Sequence, residues 1–341
     1  MKYSIIVPVY NAQDCLRECL DSMVRQTEAS WECICIDDGS KDASWDICQE
    51  YARRDARFRI VRQRNKGLTA TRNVGLGMAC GDYVCFLDCD DARRDDWLER
   101  ADGMFQAFGV DMVRMGHSLW HGEEYEHRVA DFSGETKVFR GRDEVFRWGW
   151  ETFNRMAYVW LSIYRRSRLE GFRFEERRIY REDMVSSMHL IERMDSVAQS
   201  DYPACMYLIR PGSMMHSKVK ASELTGYWDE FAKVLASHED QMSRIGIWDD
   251  AKVKFTQAVL GSLRNWMAWR DGGEVGEHRV VAEKARGYLD AGLVRPDCVH
   301  GLWGFVFGLY CRYGWESPLY LCEKAALRYV ATRNGLLGKR P

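Results

Sequence analysis

Hydrophobic positions in the first quarter of the chain come in short continuous runs; those in the last third come at helical spacing. Residues 4–9 (Ser-Ile-Ile-Val-Pro-Val), 31–36 (Trp-Glu-Cys-Ile-Cys-Ile), 58–61 (Phe-Arg-Ile-Val) and 83–88 (Tyr-Val-Cys-Phe-Leu-Asp) read as strands, the first central and the last covered on both faces. Pro8 belongs at the end of its strand, because it has no N–H for the ladder. Between the runs lie helical stripes. Residues 13–26 carry Leu16, Leu20, Met23 and Val24, Asp42 is placed to cap a helix through Trp45, Cys48, Tyr51 and Ala52, and 68–78 is a third helix closed by Gly81. Strand and helix alternate from residue 4 to 88, which predicts an α/β fold with a mostly parallel sheet and right-handed crossovers.

The middle third is less regular. Residues 111–118 predict a strand, 119–140 a hairpin or loop, 182–193 a helix and 205–209 a short strand; 144–150 and 154–165 are rich in aromatics. From about residue 217 the pattern is helical, over 222–243, 250–270, 276–291 and 298–332. This predicts a domain over residues 1–216, with halves 1–95 and 96–216, and a C-terminal helical region over 217–341.

The 341 residues are 46% hydrophobic and 29% charged, with a formal net charge of −2. That is the profile of a folded protein with no global field for nucleic acid. Of the 12 cysteines several sit in apolar runs (Cys33, Cys35, Cys85) or on helix faces (Cys15, Cys19), as small reduced core residues do. No cysteine pair has a second pair at zinc-finger spacing. The N-terminus lacks a signal-peptide layout, and the apolar stretch near Leu302–Cys311 is about half the ~20 residues that span a bilayer. We therefore expect a cytoplasmic protein.

Carboxylates collect where two predicted strands end, at Asp37-Asp38 and at Asp88/Asp90/Asp91, and again at Glu182-Asp183 where a helix begins. Any one pair is explained by a turn or a cap. Two clusters at the carboxyl edge of one sheet, where α/β folds bind ligands, are better explained by a cation and a diphosphate. The Gly75-Leu76-Gly77 stretch lacks both the third glycine and the strand-first context of a dinucleotide fingerprint, and the chain has no P-loop.

Four segments carry a closer resemblance: Ile6-Val7-Pro8-Val9-Tyr10-Asn11; Ile36-Asp37-Asp38-Gly39-Ser40-Lys41-Asp42; Asn65-Lys66-Gly67 with Thr71-Arg72-Asn73; and Gly81 through Asp91. With Tyr180-Arg181-Glu182-Asp183 and Tyr207 through Ser213, they make residues 3–216 resemble a family 2 glycosyltransferase of the GT-A fold, of the bacterial surface-polysaccharide type. The resemblance implies an inverting, metal-dependent transfer from a nucleotide-sugar donor, with UDP as its nucleotide, to a glycan or lipid-linked acceptor. Carried onto this chain, it implies Asp183 as general base and Asp90 as the ligand of Mn²⁺ or Mg²⁺, with His216 as a second ligand or an exposed loop histidine. Pro8, Tyr10 and Asp38 would receive the base, and Asp88 the ribose or a metal-bound water. Asp91 would assist or cap the next segment. Arg72 would reach the donor or pair with a strand-end Asp, Arg210 would meet the diphosphate, and Trp160 would stack on the acceptor sugar. Glu182 would orient the helix or Asp183.

Two other readings compete, a nucleotidyltransferase and a non-catalytic sugar-binding module on the same scaffold. The first lacks a Gly- and Lys/Arg-rich loop after the first strand, where Tyr10-Asn11-Ala12-Gln13 stands. The Gln-x-x-Arg-Trp motif of processive membrane synthases is also missing. The aromatic and basic C-terminal segment, Leu302–Phe307 followed by Arg312, Lys324, Arg328, Arg333, Lys339 and Arg340, leaves room for peripheral contact with the inner face of a membrane. A homodimer through the C-terminal helices is left open as well.

Overall fold

A computed structural model gives the structure of the chain and describes residues 2–121, 124–126, 135–152, 158–208, 219–268, 275–299 and 302–313. The chain divides into two units, Met1–Met215 and His216–Pro341.

In the first unit, β1 (Tyr3–Val9), β2 (Trp31–Asp37), β3 (Phe58–Arg62) and β4 (Tyr83–Phe86) pair in parallel; β1 and β2 are buried throughout, whereas β3, at the sheet's edge, is half-buried. Alternate residues of β1 enter different cores. Ile5, Val7 and Val9 pack with Leu16 and Leu20 of α1 (Leu16–Val24) and Ile47 of α2 (Ser44–Arg54). Ile6 and its neighbours Ile34, Ile36 and Phe86 pack with Trp148, Phe172 and Phe174, against α3 (Leu68–Met78). Gly75 of α3 lets that helix come close: a Cβ there would lie 2.4 Å from Ile6 Cγ2 and 2.9 Å from Ile36 Cδ1.

The sheet continues past β4 through β9 (Ser162–Arg165), β6 (Met112–His121), β10 (Ser196–Leu208) and β5 (Ala92–Arg93), in the order β3-β2-β1-β4-β9-β6-β10-β5. β6 and β10 are parallel to each other, whereas β9 runs against both β4 and β6. β5 and β8 (Thr136–Arg140) flank β10, and β7 (Glu124–Glu126) pairs with β6.

Several expectations need correction. The strand expected over 83–88 leaves the ladder after Phe86, although Leu87 N–H still donates to Ile6 O at 3.0 Å. The first helix begins at Leu16, three residues later than expected, because Gln13–Cys15 form a turn. The short strand expected at 205–209 is thirteen residues long and starts at Ser196. Its register shifts around Pro203 break the period-2 pattern that would have revealed it. Helix α4 (Trp97–Phe108), which buries Trp97, Leu98, Ala101 and Phe105, was not anticipated. The aromatic segment 144–150 lies in α5 (Arg142–Glu151), and Glu182–Ile191 is α6.

The second unit is helical. Its helices α7 (Ala221–Arg244), α8 (Trp248–Ala268), α9 (Val275–Asp290) and α10 (Leu302–Tyr313) follow the expected stripes. Residues 314–341, and with them most of the basic C-terminal segment, lie outside the described residues. Phe231 and Phe255 meet edge to face at 5.0 Å, and Trp228 donates to Ser262 Oγ at 2.8 Å. Among the described residues, no helix is long and apolar enough to cross a membrane.

Gly75 and Gly77 share a helix but not an environment; nothing lies within 4 Å of a Cβ built at Gly77. Gly75→Val should destabilise the fold by about 1–3 kcal/mol through overpacking. Gly77→Ala should be neutral, or stabilise by up to about 1 kcal/mol. Urea melts of both variants check this, and equal midpoints would contradict the packing of α3 on β1.

Candidate active site

The carboxyl ends of β1, β2 and β4 form one edge, where Pro8, Asp38 and Asp88 lie. Pro8 is buried opposite Ile36, while Tyr10 follows it with 47% of its surface exposed. Asn11 takes a left-handed conformation, φ 48°, and holds the turn after β2: its N–H donates to Ser40 Oγ at 3.0 Å, and its Oδ1 accepts from Lys41 N–H at 2.9 Å.

Asp38 is 4% exposed and accepts three hydrogen bonds. Gln63 Nε2 and Lys66 N–H donate to Oδ1, and Gly67 N–H donates to Oδ2, each at 2.8 Å. Gly39 makes this possible. Its φ of +77° suits glycine, and a Cβ would stand 3.0 Å from Asn65 N. A carboxylate has about four acceptor positions, so Asp38 keeps one for a further donor.

Arg72 is 0% exposed and lies between two carboxylates. Its Nη2 donates to Asp88 Oδ1 at 3.0 Å and its Nη1 to Asp183 Oδ1. Of the two roles weighed for Arg72, the geometry shows the pairing with a strand-end Asp, here joined by Asp183. Asn73, the next residue of α3, brings Asp183 there. Its Nδ2 donates to Phe174 O, and its Oδ1 accepts from Phe174 N–H at 2.8 Å, clamping the segment that leads into α6. Arg181 then adopts φ 52°, and Glu182 and Asp183 form the first turn of α6. Asn11 and Arg181 are the two non-glycine residues with positive φ among those described, and each adjoins an expected site residue.

Burial and Asp88 push the Asp183 carboxyl up from the carboxylate range, while Arg72 draws it down. Glu182 is pushed up to about 7 by burial and the Asp183 charge. Burial, Asp88 and Asp90 push Asp91 well above the usual range. Asp91 Oδ1 accepts from Leu208 N–H at 3.3 Å, so this residue ties the edge to the end of β10.

Sequence reasoning missed Arg93. It is buried, with its Nη2 donating to Trp160 O at 2.7 Å and its Nη1 to Cys205 Sγ. Its place two residues after Asp91 was the available signal. Trp160, expected as an acceptor platform, is 4% exposed and has Tyr207 stacked upon it. Arg210 and His216 lie outside the described residues. Among those described, no group of three or more His, Cys, Asp or Glu side chains is arranged to hold a metal ion.

Residues 4–173 match the family model described as Glycosyl transferase family 2. The chain is 31% identical over 220 residues to the glycosyltransferase GlyA of Streptococcus pneumoniae, covering 62% of this chain and 31% of that one. It is 30% identical over 214 residues to the uncharacterized glycosyltransferase EpsJ of Bacillus subtilis, covering 62% of each. The chain thus spans less than two-thirds of the length of either relative. Among solved structures, S. aureus TarS 1–349 in complex with UDP superposes with a TM-score of 0.68 at 16% identity, over 96% of this chain and 92% of that one. That likeness is one of fold, and the GT-A architecture expected from the sequence is the one observed.

Two outcomes follow from these charges. Arg72→Met leaves Asp88 and Asp183 facing each other without their cation. It should cost about 2 kcal/mol in urea unfolding, less than a fully buried pair because both carboxylates keep some solvent; an unchanged midpoint would contradict the bridge. Glu182 binds a proton in the folded chain between its ordinary pKa of 4.5 and about 7. Its contribution to stability is therefore complete below pH 4.5 and is lost as pH rises to about 7. The Tm of Glu182→Gln relative to wild type should rise from pH 5 to pH 8, and parallel profiles would count against the shift.

Proposed function

Residues 4–173 belong to glycosyl transferase family 2, and from that premise we propose that the chain transfers a sugar from a UDP-sugar to a hydroxyl of a glycan or lipid-linked acceptor, inverting the anomeric centre. The observation that carries this reading is the Asp88–Arg72–Asp183 bridge, which draws a donor-edge carboxylate and a candidate base onto one guanidinium.

The geometry supports the following division of labour. Asp38, with one acceptor position left, takes the N–H of a uracil beside Pro8, and Tyr10 covers that base with its exposed ring. Asp183 accepts the proton of the attacking hydroxyl as the new bond forms. Arg72 fixes the Asp183 carboxylate in place and opposes the effect of burial, keeping it available as a base. The displaced nucleotide leaves on the opposite face, so in-line attack inverts the sugar carbon. The UDP complex of TarS supports the choice of nucleotide.

The carboxylate edge fits a hard divalent cation. Asp88 and Asp90 both push Asp91 toward its neutral form, which marks a concentration of negative charge from oxygen ligands. A cation of the Mg²⁺ class needs only one or two protein carboxylates when phosphate oxygens complete its shell. Asp90, with Asp88 beside it, would hold Mn²⁺ or Mg²⁺, which supplies neutralisation of the charge that develops on the diphosphate.

Asp183→Asn should abolish transfer while leaving UDP affinity within about threefold, as expected for a group that acts only on the acceptor proton. Retained transfer would reject Asp183 as base. Asp90→Ala should weaken UDP binding in the presence of Mn²⁺ and leave metal-free binding little changed. Calorimetric titration reads both, and an identical Mn²⁺ dependence in the variant would remove Asp90 from the metal.

A further inference from the structure

Four aromatic side chains that the chemistry above leaves unused meet at the same edge of the sheet. β6 and β10 run in the direction of β4, so their carboxyl ends open beside Asp88–Asp91; β9 runs the other way and enters the sheet from that edge. These directions bring together His117 of β6, Tyr158 and Trp160 at the entry to β9, and Tyr207 near the end of β10. Trp160 is at the centre. Tyr207 stacks on it at 5.6 Å and 9°, Tyr158 tilts against it at 5.3 Å, and His117 meets it edge-on at 5.6 Å.

Burial separates backing from surface. Trp160 is covered, Tyr158 is 37% exposed, and His117 and Tyr207 are half-buried. Two buried guanidiniums brace the group from beneath: Arg93 donates to Trp160 O at 2.7 Å, and Arg114 donates to Ser162 Oγ at 3.2 Å and Tyr158 O at 3.4 Å. The Asp91 bond to Leu208 N–H fixes the Tyr207 end of β10 to the carboxylate edge. An ordinary core cluster would cover all its rings and pair their polar tips. Here, among the described residues, the Tyr158 and Tyr207 hydroxyls and the His117 ring nitrogens make no hydrogen bond. Partly open ring faces with unpaired donors and acceptors beside them match a pyranose, which has an apolar face and a rim of hydroxyls.

We propose that His117, Tyr158 and Tyr207, backed by Trp160, form the acceptor subsite, with a pyranose lying on the tyrosine rings and one of its hydroxyls hydrogen-bonded to His117. The assignment rests on the transferase reading above and changes it at one point: Trp160 supports the platform and is not its contact face. Burial and the Arg114 and Arg93 charges push the His117 pKa down, so a neutral imidazole offers one donor and one acceptor to that hydroxyl.

Saturation-transfer NMR with methyl glucoside, methyl galactoside and methyl N-acetylglucosaminide, in both anomers and with UDP and Mn²⁺ present, tests the subsite. At least one glycoside should receive saturation at its ring protons from the wild type. The signal should fall about fivefold in Tyr158→Ala, as loss of a stacking partner predicts, and return in Tyr158→Phe. Tyr207→Ala and Tyr207→Phe should repeat the pattern, with circular dichroism confirming that each variant is folded. Absence of signal from every glycoside, or signal that survives both alanine variants, would overturn the subsite. Saturation without any UDP binding by calorimetry would uphold the platform and sink the transferase reading, so the two failures are distinct.

Discussion

The buried guanidinium of Arg72 is the constraint on which the site depends. In the proposed reaction, a base that deprotonates an acceptor hydroxyl stands close to carboxylates that face a diphosphate, and such groups repel one another. Glu182, pushed up to about 7, and Asp183, pushed up from its ordinary range, show that repulsion combined with burial. Arg72 makes the arrangement tenable by binding Asp88 with one nitrogen and Asp183 with another. Lysine, as a single point charge, would not serve both carboxylates in fixed directions.

Everything around Arg72 serves to keep it there. α3 lies close on β1 and β2 because Gly75 presents no side chain to Ile6 and Ile36. Asn73 holds the Phe174 backbone, which carries the chain toward Asp183. A packing constraint in the sheet is thereby converted into the position of a carboxylate that lies 111 residues from Arg72 in sequence. The continuous sheet extends the same logic. β9 is antiparallel between β4 and β6, so three strand ends and one strand entry share an edge, and the Asp91 bond to Leu208 locks the far strand to the near one.

The first 88 residues were legible because buried parallel strands are continuous apolar runs and their helices carry clear stripes. The second half of the sheet was not. β10 carries Gln199, Asp201 and Pro203 within its length, so only its last residues resembled a strand. The helix Trp97–Phe108 buries only four residues, among them both of its N-terminal apolar ones, so its stripe is too thin to mark a helix in the sequence. In the site, the identities of Asp38, Asp88 and Asp183 could be read as residue types in a pattern, but their partners could not. Nothing in the spacing says that Asp38 is filled by the 63–67 loop or that Arg72 spans two carboxylates. These are consequences of tertiary approach. The burial of Trp160 was equally invisible, since an aromatic residue in a polar segment looks the same whether it faces a ligand or a neighbouring ring.

A pairing of Arg72 with both Asp88 and Asp183 also bears on how donor and acceptor events are linked. Asp88 has one oxygen on the guanidinium, and any cation or ribose hydroxyl that draws on this carboxylate weakens its claim on Arg72. The charge so released is shared with Asp183 through the same planar group. In the reaction proposed above, arrival of a donor at the Asp88 end strengthens the hold of Arg72 on Asp183 and opposes its protonation, whereas without a donor the guanidinium stays divided. Two carboxylates compete for one cation, and because Arg72 is covered and both carboxylates are largely shielded from solvent, that competition is not screened away. The base would then be held most firmly ionised when the sugar it acts beside is already in place.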